Sequence, residues 1–234
     1  MAPKRKAEAM KGKRAACIAL VLLLISACST LDEGRKIEFI YLGIGASDVF
    51  GVGATPLTEG YVYLLNHELQ QRIPGTFLIN LGVPGAGINT LIEQVRLAKH
   101  FRGDADMATV WIGANDLVDG YDPSRFQSKL REFLRSLQNS VSTIVVIANL
   151  PDLTQVSPFR ETPIPTVTVD RVKAFNRAIE VEAPYVNASI VNIFTESSPD
   201  DFVFDADGFH PTKAGHRRMA SLFQKAVFER VGVH

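Results

Sequence analysis

Residues 36–51 read KIEFIYLGIGASDVFG, an apolar run followed by glycines and a serine. The near-continuous apolar character of residues 36–43 is typical of a strand that is buried on both faces of a sheet. The same pattern recurs along the chain, where apolar runs alternate with amphipathic stretches. Further strands are predicted at residues 76–81, 107–112, 141–150 and 188–194. Helices are predicted at residues 58–73, 89–101, 123–137, 169–182 and from 211 to about 230.

Strands that alternate with helices indicate a parallel sheet, because each connection between parallel strands places a helix over one face. The sequence therefore predicts a single α/β domain, a three-layer α/β/α sandwich with a five-stranded parallel sheet. Asp122 is expected to cap the helix of residues 123–137, with Pro123 at its first position. Pro211 is expected to hold the same position in the final helix.

The composition is that of one globular domain. The chain has 234 residues, of which 46% are hydrophobic, so it can bury a substantial core. Its 25 basic and 25 acidic side chains give zero net charge, whereas a nucleic-acid-binding protein would carry a basic excess. Two cysteines are too few for a disulfide-rich scaffold or a cysteine-based zinc cluster. No His, Asp or Glu group has the spacing of metal ligands, so no metal site is expected. We also expect a monomer.

The N-terminus differs in character from the rest of the chain. Residues 1–14 hold six Lys or Arg side chains, and residues 15–27 hold no charge. Such an apolar run is too short for a stable transmembrane helix but suits the core of a signal peptide. The run ends in Ile25, Ser26, Ala27 and Cys28, which resembles the bacterial lipobox.

The lipobox resemblance implies cleavage before Cys28 and lipidation of its thiol. We therefore expect a lipoprotein signal peptide at residues 1–27, a tether at 28–35 and the folded domain at 36–234. The alternative is an ordinary signal peptide with an incidental cysteine. In lipoproteins an uncharged residue after the cysteine, here Ser29, accompanies outer-membrane sorting. The expected location is the cell envelope, on the outer membrane facing the periplasm.

Four clusters of glycine and polar residues follow predicted strands or precede the final helix. Because ligands bind beyond the carboxyl ends of parallel strands, these clusters are expected to form the functional site. The clusters are GIGASDVFG at residues 43–51, GVPGAG at 82–87, GAND at 113–116 and DGFHP at 207–211.

The clusters contain one serine, one histidine and one aspartate suited to acyl transfer. A serine hydroxyl such as that of Ser47 is a weak nucleophile until an imidazole accepts its proton. His210 could supply that imidazole, and Asp207, three residues earlier, could orient it through Nδ1. The oxyanion of the tetrahedral intermediate needs neutral donors, which the backbone N–H of Gly85 and the amide of Asn115 could provide.

These motifs resemble those of the SGNH hydrolases, also called the GDSL lipase/esterase family. The G-x-S-x-x-x-G block matches at Gly45, Ser47 and Gly51, the G-x-N-D block at residues 113–116, and the D-x-x-H-P block at 207–211. The resemblance implies a Ser47–His210–Asp207 triad, and an oxyanion hole from the N–H groups of Ser47 and Gly85 and the amide of Asn115. It also implies five parallel strands in the order 2-1-3-4-5.

One position departs from the family pattern. The aspartate that usually precedes the serine is replaced by Ala46, and an aspartate follows the serine at position 48. The expected activity is hydrolysis of a small-molecule, lipid or acylated-sugar ester without a cofactor. Two alternatives stay open, an acyltransferase that uses the same site and a non-catalytic binding module on the same fold.

Two other folds are disfavoured. A dinucleotide-binding fingerprint would need a glycine where Asp48 stands. An α/β-hydrolase would have its serine well into the chain and its acid far from the histidine.

Several neighbouring residues have simpler interpretations. His216 is expected to face solvent or to form an ion pair on the last helix. Trp111 is expected in the core, and Asp116 is expected to hydrogen-bond within its own loop. Phe50 and residues 158–159 are candidates to line an acyl pocket, and the proline-rich loop of residues 151–165 is a candidate border of the site.

Overall fold

The computed structural model describes residues 37–102, 104–140, 144–197 and 209–233. A five-stranded parallel sheet runs through it with the strand order 2-1-3-4-5, which confirms the predicted fold class. The strands are β1 (Phe39–Gly45), β2 (Thr76–Asn80), β3 (Met107–Trp111), β4 (Ile144–Ala148) and β5 (Ser189–Val191).

Helices connect these strands and cover both faces of the sheet. The longer helices are α2 (Tyr61–Arg72), α3 (Leu91–Arg102), α5 (Pro123–Ser140), α7 (Val169–Glu182) and α9 (Lys213–Val231). Short helices are α1 (Ser47–Phe50), α4 (Ala114–Val118), α6 (Ser157–Glu161) and α8 (Ile193–Glu196). Single 3-10 turns occur at Leu57–Glu59, Ile88–Thr90, Leu153–Gln155 and Ala183–Val186.

The two faces of the sheet carry separate hydrophobic cores, because successive side chains of a strand point to opposite faces. Leu42 packs on one face with Phe126 and Phe175, whose rings lie 4.5 Å apart. Tyr41 packs on the other face with α2 and with Phe223 of α9. The molecule therefore has the three layers that the alternation of strands and helices predicts.

Most of the predicted helices and strands are present. Some of their ends differ from the residues that the local sequence pattern predicts. The predicted helix at residues 169–182 matches α7 at both ends, and Asp122 Oδ1 accepts from the N–H groups of Ser124 and Arg125, as a helix cap does. β1, by contrast, continues past Gly43 to Gly45, because the last residues of β1 pair with Thr109, Val110 and Trp111 of β3. A glycine that suggests a turn in the sequence is therefore part of a strand.

The start of the final helix is predicted wrongly. Helix α9 begins at Lys213, so Pro211 lies before the helix rather than at its first position. Thr212 is the cap instead, since its hydroxyl accepts from the backbone N–H of Gly215 at 3.4 Å. A Cβ at Gly53 would lie 1.9 Å from the Pro211 carbonyl oxygen, so the course of His210 and Pro211 depends on contact with another part of the chain.

Candidate active site

The candidate residues meet at the carboxyl ends of β1, β2 and β3. Gly43 is paired with Asn80 of β2, and Gly45 is paired with Trp111 of β3. The loops that follow these three strands are therefore neighbours, and they carry Ser47, Gly85 and Asn115.

Ser47 is the first residue of α1, and only 4% of its surface is exposed. Its backbone N–H has no acceptor within the helix, because the first N–H groups of a helix lack intrahelical partners. The backbone that leads from β1 to Ser47 requires a glycine at position 45. There φ is +154°, and an added Cβ would lie 2.2 Å from the carbonyl oxygen of Trp111. The end of β1 therefore places Ser47 at the rim of the sheet.

His210 reaches Ser47 from the other end of the chain. Its Nε2 lies 2.8 Å from Ser47 Oγ, within hydrogen-bond distance of the hydroxyl. An imidazole nitrogen at this distance can accept the hydroxyl proton. Asp207, the predicted third member of the triad, lies outside the described residues and stays a prediction.

The loop after β2 packs directly on the helix that begins with Ser47. A Cβ at Gly82 would lie 2.2 Å from the backbone nitrogen of Phe50, so only a glycine permits this approach. Asn80 joins the two segments, because its Nδ2 donates to the carbonyl of Val49 at 2.8 Å and its Oδ1 accepts from Gly82 N–H. Gly85, further along, has φ of +77° and open space where a side chain would lie.

Asn115 lies on α4 and contacts the same loop. Its Nδ2 donates to the carbonyl of Ala86 at 2.9 Å, which fixes the orientation of the amide. An amide nitrogen carries two hydrogens, so one donor remains for a second acceptor. This arrangement places an oriented side-chain donor beside the Gly85 backbone.

Asp116 makes a contact that the sequence does not predict. Instead of hydrogen-bonding only within its own loop, its carboxylate accepts from the N–H of Ile88, with both oxygens at 3.0 Å. Gly87 lies against it, since an added Cβ there would be 2.7 Å from Asp116 Oδ1. Burial raises the pKa of Asp116 to about 6. Asn115 and Asp116 thus hold the loop after β2 by two adjacent hydrogen bonds.

His216 is not solvent-exposed, contrary to the sequence prediction. Its exposed fraction is 0%, and both ring nitrogens have backbone partners. Trp111, in contrast, is 7% exposed and lies in the core as predicted. The pattern of α9 alone could not place His216, because its partners come from residues 52 and 61.

Two further polar residues near the site were missed in the sequence. Asn80 is the last residue of β2 and the last but one of the predicted strand, so the rule that strand ends carry function could have found it. Gln94 gave no signal, because it lies within an amphipathic helix. Its Nε2 donates to the carbonyl of Gly45 at 3.0 Å, and its Oε1 is buried with no hydrogen-bond partner in the described part of the chain.

Aromatic rings adjoin His210 on the side of the proline-rich loop. Phe209 lies edge-on to His210 with ring centres 5.2 Å apart, and Phe159 of α6 lies edge-on to Phe209 at 5.8 Å. The loop at residues 151–165 therefore borders the site through Phe159. Phe50 is half-buried, and its predicted part in an acyl pocket stays a prediction.

Neither a metal-binding cluster nor a membrane-spanning helix is present in the described ranges. No group of three or more His, Cys, Asp or Glu side chains there could hold a metal ion. Within the same residues, no helix has both the length and the apolar character needed to span a membrane.

The profile of the GDSL-like Lipase/Acylhydrolase family matches residues 44–218. The chain belongs to this family. The matched region covers three quarters of the chain and includes Ser47, Gly85, Asn115 and His210. Membership of the GDSL-like lipase/acylhydrolase family confirms the predicted enzyme class, a hydrolase acting on ester bonds. No curated protein matches the chain significantly.

Solved structures share the fold of this GDSL-family chain. A member of the lipolytic protein G-D-S-L family from Veillonella parvula DSM 2008 aligns with a TM-score of 0.66 at 18% identity, over 82% of this chain and 100% of that one. The psychrotrophic esterase EstA from Pseudoalteromonas sp. aligns with a TM-score of 0.66 at 16% identity, over 83% and 100%. The lipase/acylhydrolase from Enterococcus faecalis aligns with a TM-score of 0.65 at 18% identity, over 82% and 97%. At these identities the likeness concerns the fold alone.

The raised pKa of Asp116 predicts a measurable effect of pH on stability. Between its ordinary pKa of 3.8 and about 6, the folded protein holds a proton that the unfolded chain has released. The free energy of unfolding contributed by this group therefore falls as pH rises through that window and stays low above it. We expect Asp116→Asn, which keeps an acceptor for Ile88, to remove this dependence. The free energies of unfolding of the wild type and of Asp116→Asn can be measured by urea unfolding. We expect the difference between them to change by up to about 3 kcal/mol from pH 4 to pH 7. Parallel curves for the two proteins would contradict the assignment.

Proposed function

We propose that this chain is an esterase that cleaves carboxylic esters through an acyl-enzyme on Ser47. His210 is the general base, and Asp207 orients its imidazole. The observation that carries the proposal is the 2.8 Å distance between His210 Nε2 and Ser47 Oγ. A hydroxyl beside an imidazole can generate an oxygen nucleophile at neutral pH, because the imidazole accepts the hydroxyl proton.

In the first half of the reaction, Ser47 Oγ bonds to the ester carbonyl carbon and its proton passes to His210 Nε2. The carbonyl oxygen gains an electron pair and becomes an oxyanion. When the tetrahedral intermediate collapses, the bond to the alcohol breaks and His210 donates the proton to the departing alcohol. The acyl group then remains on Ser47.

In the second half, water replaces the alcohol. A water molecule gives a proton to His210 and its oxygen bonds to the acyl carbon. Collapse of this second intermediate releases the carboxylic acid, and Ser47 Oγ recovers its proton from His210. The cycle consumes one ester and one water and needs no other reactant.

The oxyanion is held by the N–H groups of Ser47 and Gly85 and by the amide of Asn115. The hydrogen bond from Asn115 to Ala86 supports this role, because it orients the amide before the substrate arrives. Donors held in place in this way need no reorganisation when charge develops, and this is why they lower the barrier. The open space at Gly85 leaves room for the substrate carbonyl.

Phe209 and Phe159 supply an apolar wall beside His210. We propose that an acyl or alkyl group of the substrate packs against these two rings. Apolar surface of this kind favours a hydrocarbon group over a charged one.

The leader and Cys28 lie outside the described ranges. We propose that the mature chain begins at Cys28, which carries lipid and anchors the enzyme in the cell envelope, on the outer membrane facing the periplasm. The lipobox-like residues 25–28 after a basic and then apolar leader support it.

The nucleophile can be tested with p-nitrophenyl esters of acetate, butyrate and longer acids. We expect Ser47→Ala to lower the rate of hydrolysis by about 1,000-fold or more, because no other group would form the acyl-enzyme. Diethyl p-nitrophenyl phosphate should label the wild type once, at Ser47, and leave the variant unlabelled by mass spectrometry. Full activity in Ser47→Ala would refute the assignment.

The same assay separates the alternatives. A folded wild-type protein that cleaves no ester would favour a binding module. Release of a new ester rather than free acid, when an alcohol is added, would favour an acyltransferase. The series of acyl lengths would define how far the apolar wall extends.

The oxyanion donor gives a second test. Asn115→Asp keeps the shape of the side chain but an ionised carboxylate cannot donate. We expect kcat to fall by about 100- to 1,000-fold, as for loss of one oxyanion donor, while KM changes little. An unchanged kcat would remove Asn115 from the proposed mechanism.

The lipid anchor can be tested in a bacterial host. We expect Cys28→Ser to release the protein from the membrane fraction, because no thiol remains at the lipobox to carry lipid. Cys17→Ser in the leader is the matched control and should stay membrane-bound. Detergent partitioning of the two variants measures the difference, and a Cys28→Ser protein that stays in the membrane would overturn the proposal.

A further inference from the structure

His216 is a fully buried histidine in the first turn of α9. Its Nε2 lies 2.8 Å from the carbonyl oxygen of Val52, and its Nδ1 lies 3.2 Å from the backbone nitrogen of Tyr61. A carbonyl can only accept and an N–H can only donate, so Nε2 must carry the proton and Nδ1 must not. The ring is therefore neutral. Its one donor and its one acceptor both make hydrogen bonds to the backbone.

The Val52 carbonyl connects His216 to the nucleophile. The backbone N–H of Val52 donates to the carbonyl of Ser47 at 3.0 Å, so the turn after α1 is attached to Ser47 itself. The next bond in the path runs from His216 Nε2–H to the carbonyl of the same Val52. Two successive hydrogen bonds thus join the backbone of Ser47 to the ring of His216.

The path continues from His216 to the base. The backbone N–H of His216 donates to the carbonyl of Thr212 at 2.8 Å, and Thr212 is only two residues after His210. The two segments also touch directly, since a Cβ at Gly53 would lie 1.9 Å from the carbonyl oxygen of Pro211 and 3.4 Å from His210 Cβ. The segment with the nucleophile and the segment with the base are therefore held against each other at His216.

The ring of His216 has little freedom to turn. Tyr61 is stacked on it with an interplanar angle of 10° and ring centres 6.4 Å apart. Tyr61 is in turn stacked on Phe223 at 4.9 Å and lies edge-on to Trp111 at 5.9 Å. The backbone N–H of Tyr61 is the first of α2 and has no acceptor in its own helix, so His216 Nδ1 also satisfies a helix terminus.

We propose that His216 is a positioning residue that sets the distance between His210 Nε2 and Ser47 Oγ, acting through its hydrogen bond to the Val52 carbonyl. This inference rests on the proposed roles of Ser47 and His210. Displacement of a reacting group by about 1 Å can lower a rate about 100-fold, so a connector of this kind matters for catalysis. His216 itself does not touch the reacting atoms.

Burial is consistent with this role. It lowers the pKa of His216, and the nearby His210 acts in the same direction. The ring therefore stays neutral, which the acceptor at Nδ1 requires.

The two hydrogen bonds can be separated by substitution. In Gln the terminal nitrogen lies as many bonds from Cβ as His Nε2 does, so His216→Gln keeps a donor for Val52. In Asn the polar atoms correspond to His Nδ1, so His216→Asn keeps an acceptor for Tyr61 and loses the bond to Val52. His216→Phe fills the space and loses both. His67 is exposed on α2 and does not join the two segments, so His67→Gln is the matched control.

The test is kcat for p-nitrophenyl butyrate per active site in purified full-length protein. Active sites are counted by labelling Ser47 with diethyl p-nitrophenyl phosphate, so an unfolded fraction does not affect the value. We expect kcat per site to fall about 100-fold in His216→Asn and His216→Phe. We expect it to stay within about tenfold of the wild type in His216→Gln, and KM to change little in all three. His67→Gln should match the wild type.

Other outcomes are distinguishable. If Ser47→Ala abolishes hydrolysis but all folded His216 variants keep the wild-type kcat per site, the histidine is structural only and this inference is overturned. If kcat per site follows the melting temperatures of the variants rather than the order Gln above Asn and Phe, the bond to Val52 is not the cause. If Ser47→Ala is fully active, the proposed function has failed first.

Discussion

The hydrogen bond between His210 Nε2 and Ser47 Oγ joins segments that are 163 residues apart in the chain. Its length depends on how the turn after α1 meets the segment before α9. Gly53 makes that contact possible, because any side chain there would collide with the Pro211 carbonyl. His216 ties the same two segments by hydrogen bonds. The geometry of the proposed nucleophile and base therefore depends on backbone contacts around them as well as on their own side chains.

The loop after β2, which carries the proposed oxyanion-hole residue Gly85, is also held by hydrogen bonds from another segment. Asn115 and Asp116 are adjacent, and each bonds the backbone of the loop after β2, at Ala86 and at Ile88. Asn115 donates and Asp116 accepts, so two hydrogen bonds hold the loop against α4. Burial raises the pKa of the Asp116 carboxyl, so its ionisation at neutral pH lowers the free energy of unfolding.

Local patterns predicted the elements whose ends are determined locally. The amphipathic repeat and flanking residues of α7 suffice to place both its ends, and the same is true of the cap at Asp122. Patterns failed where another segment decides the outcome. β1 runs on through Gly43 because β3 pairs with it, and Pro211 lies before α9, against Gly53, rather than inside the helix. His216 was misplaced for the same reason, since both of its partners are distant in the chain.

The sequence by itself determined the fold class, the order of the glycine and polar clusters, and the residue types at the rim. These follow from hydrophobic alternation and from short motifs, both of which are local. Only the tertiary structure decided the distance between Ser47 and His210, the orientation of the Asn115 amide, and the burial of Asp116 and His216. Each of these depends on hydrogen bonds and packing between segments that are 28 to 164 residues apart. No local pattern encodes such pairings, because they exist only when the sheet has brought its carboxyl ends together.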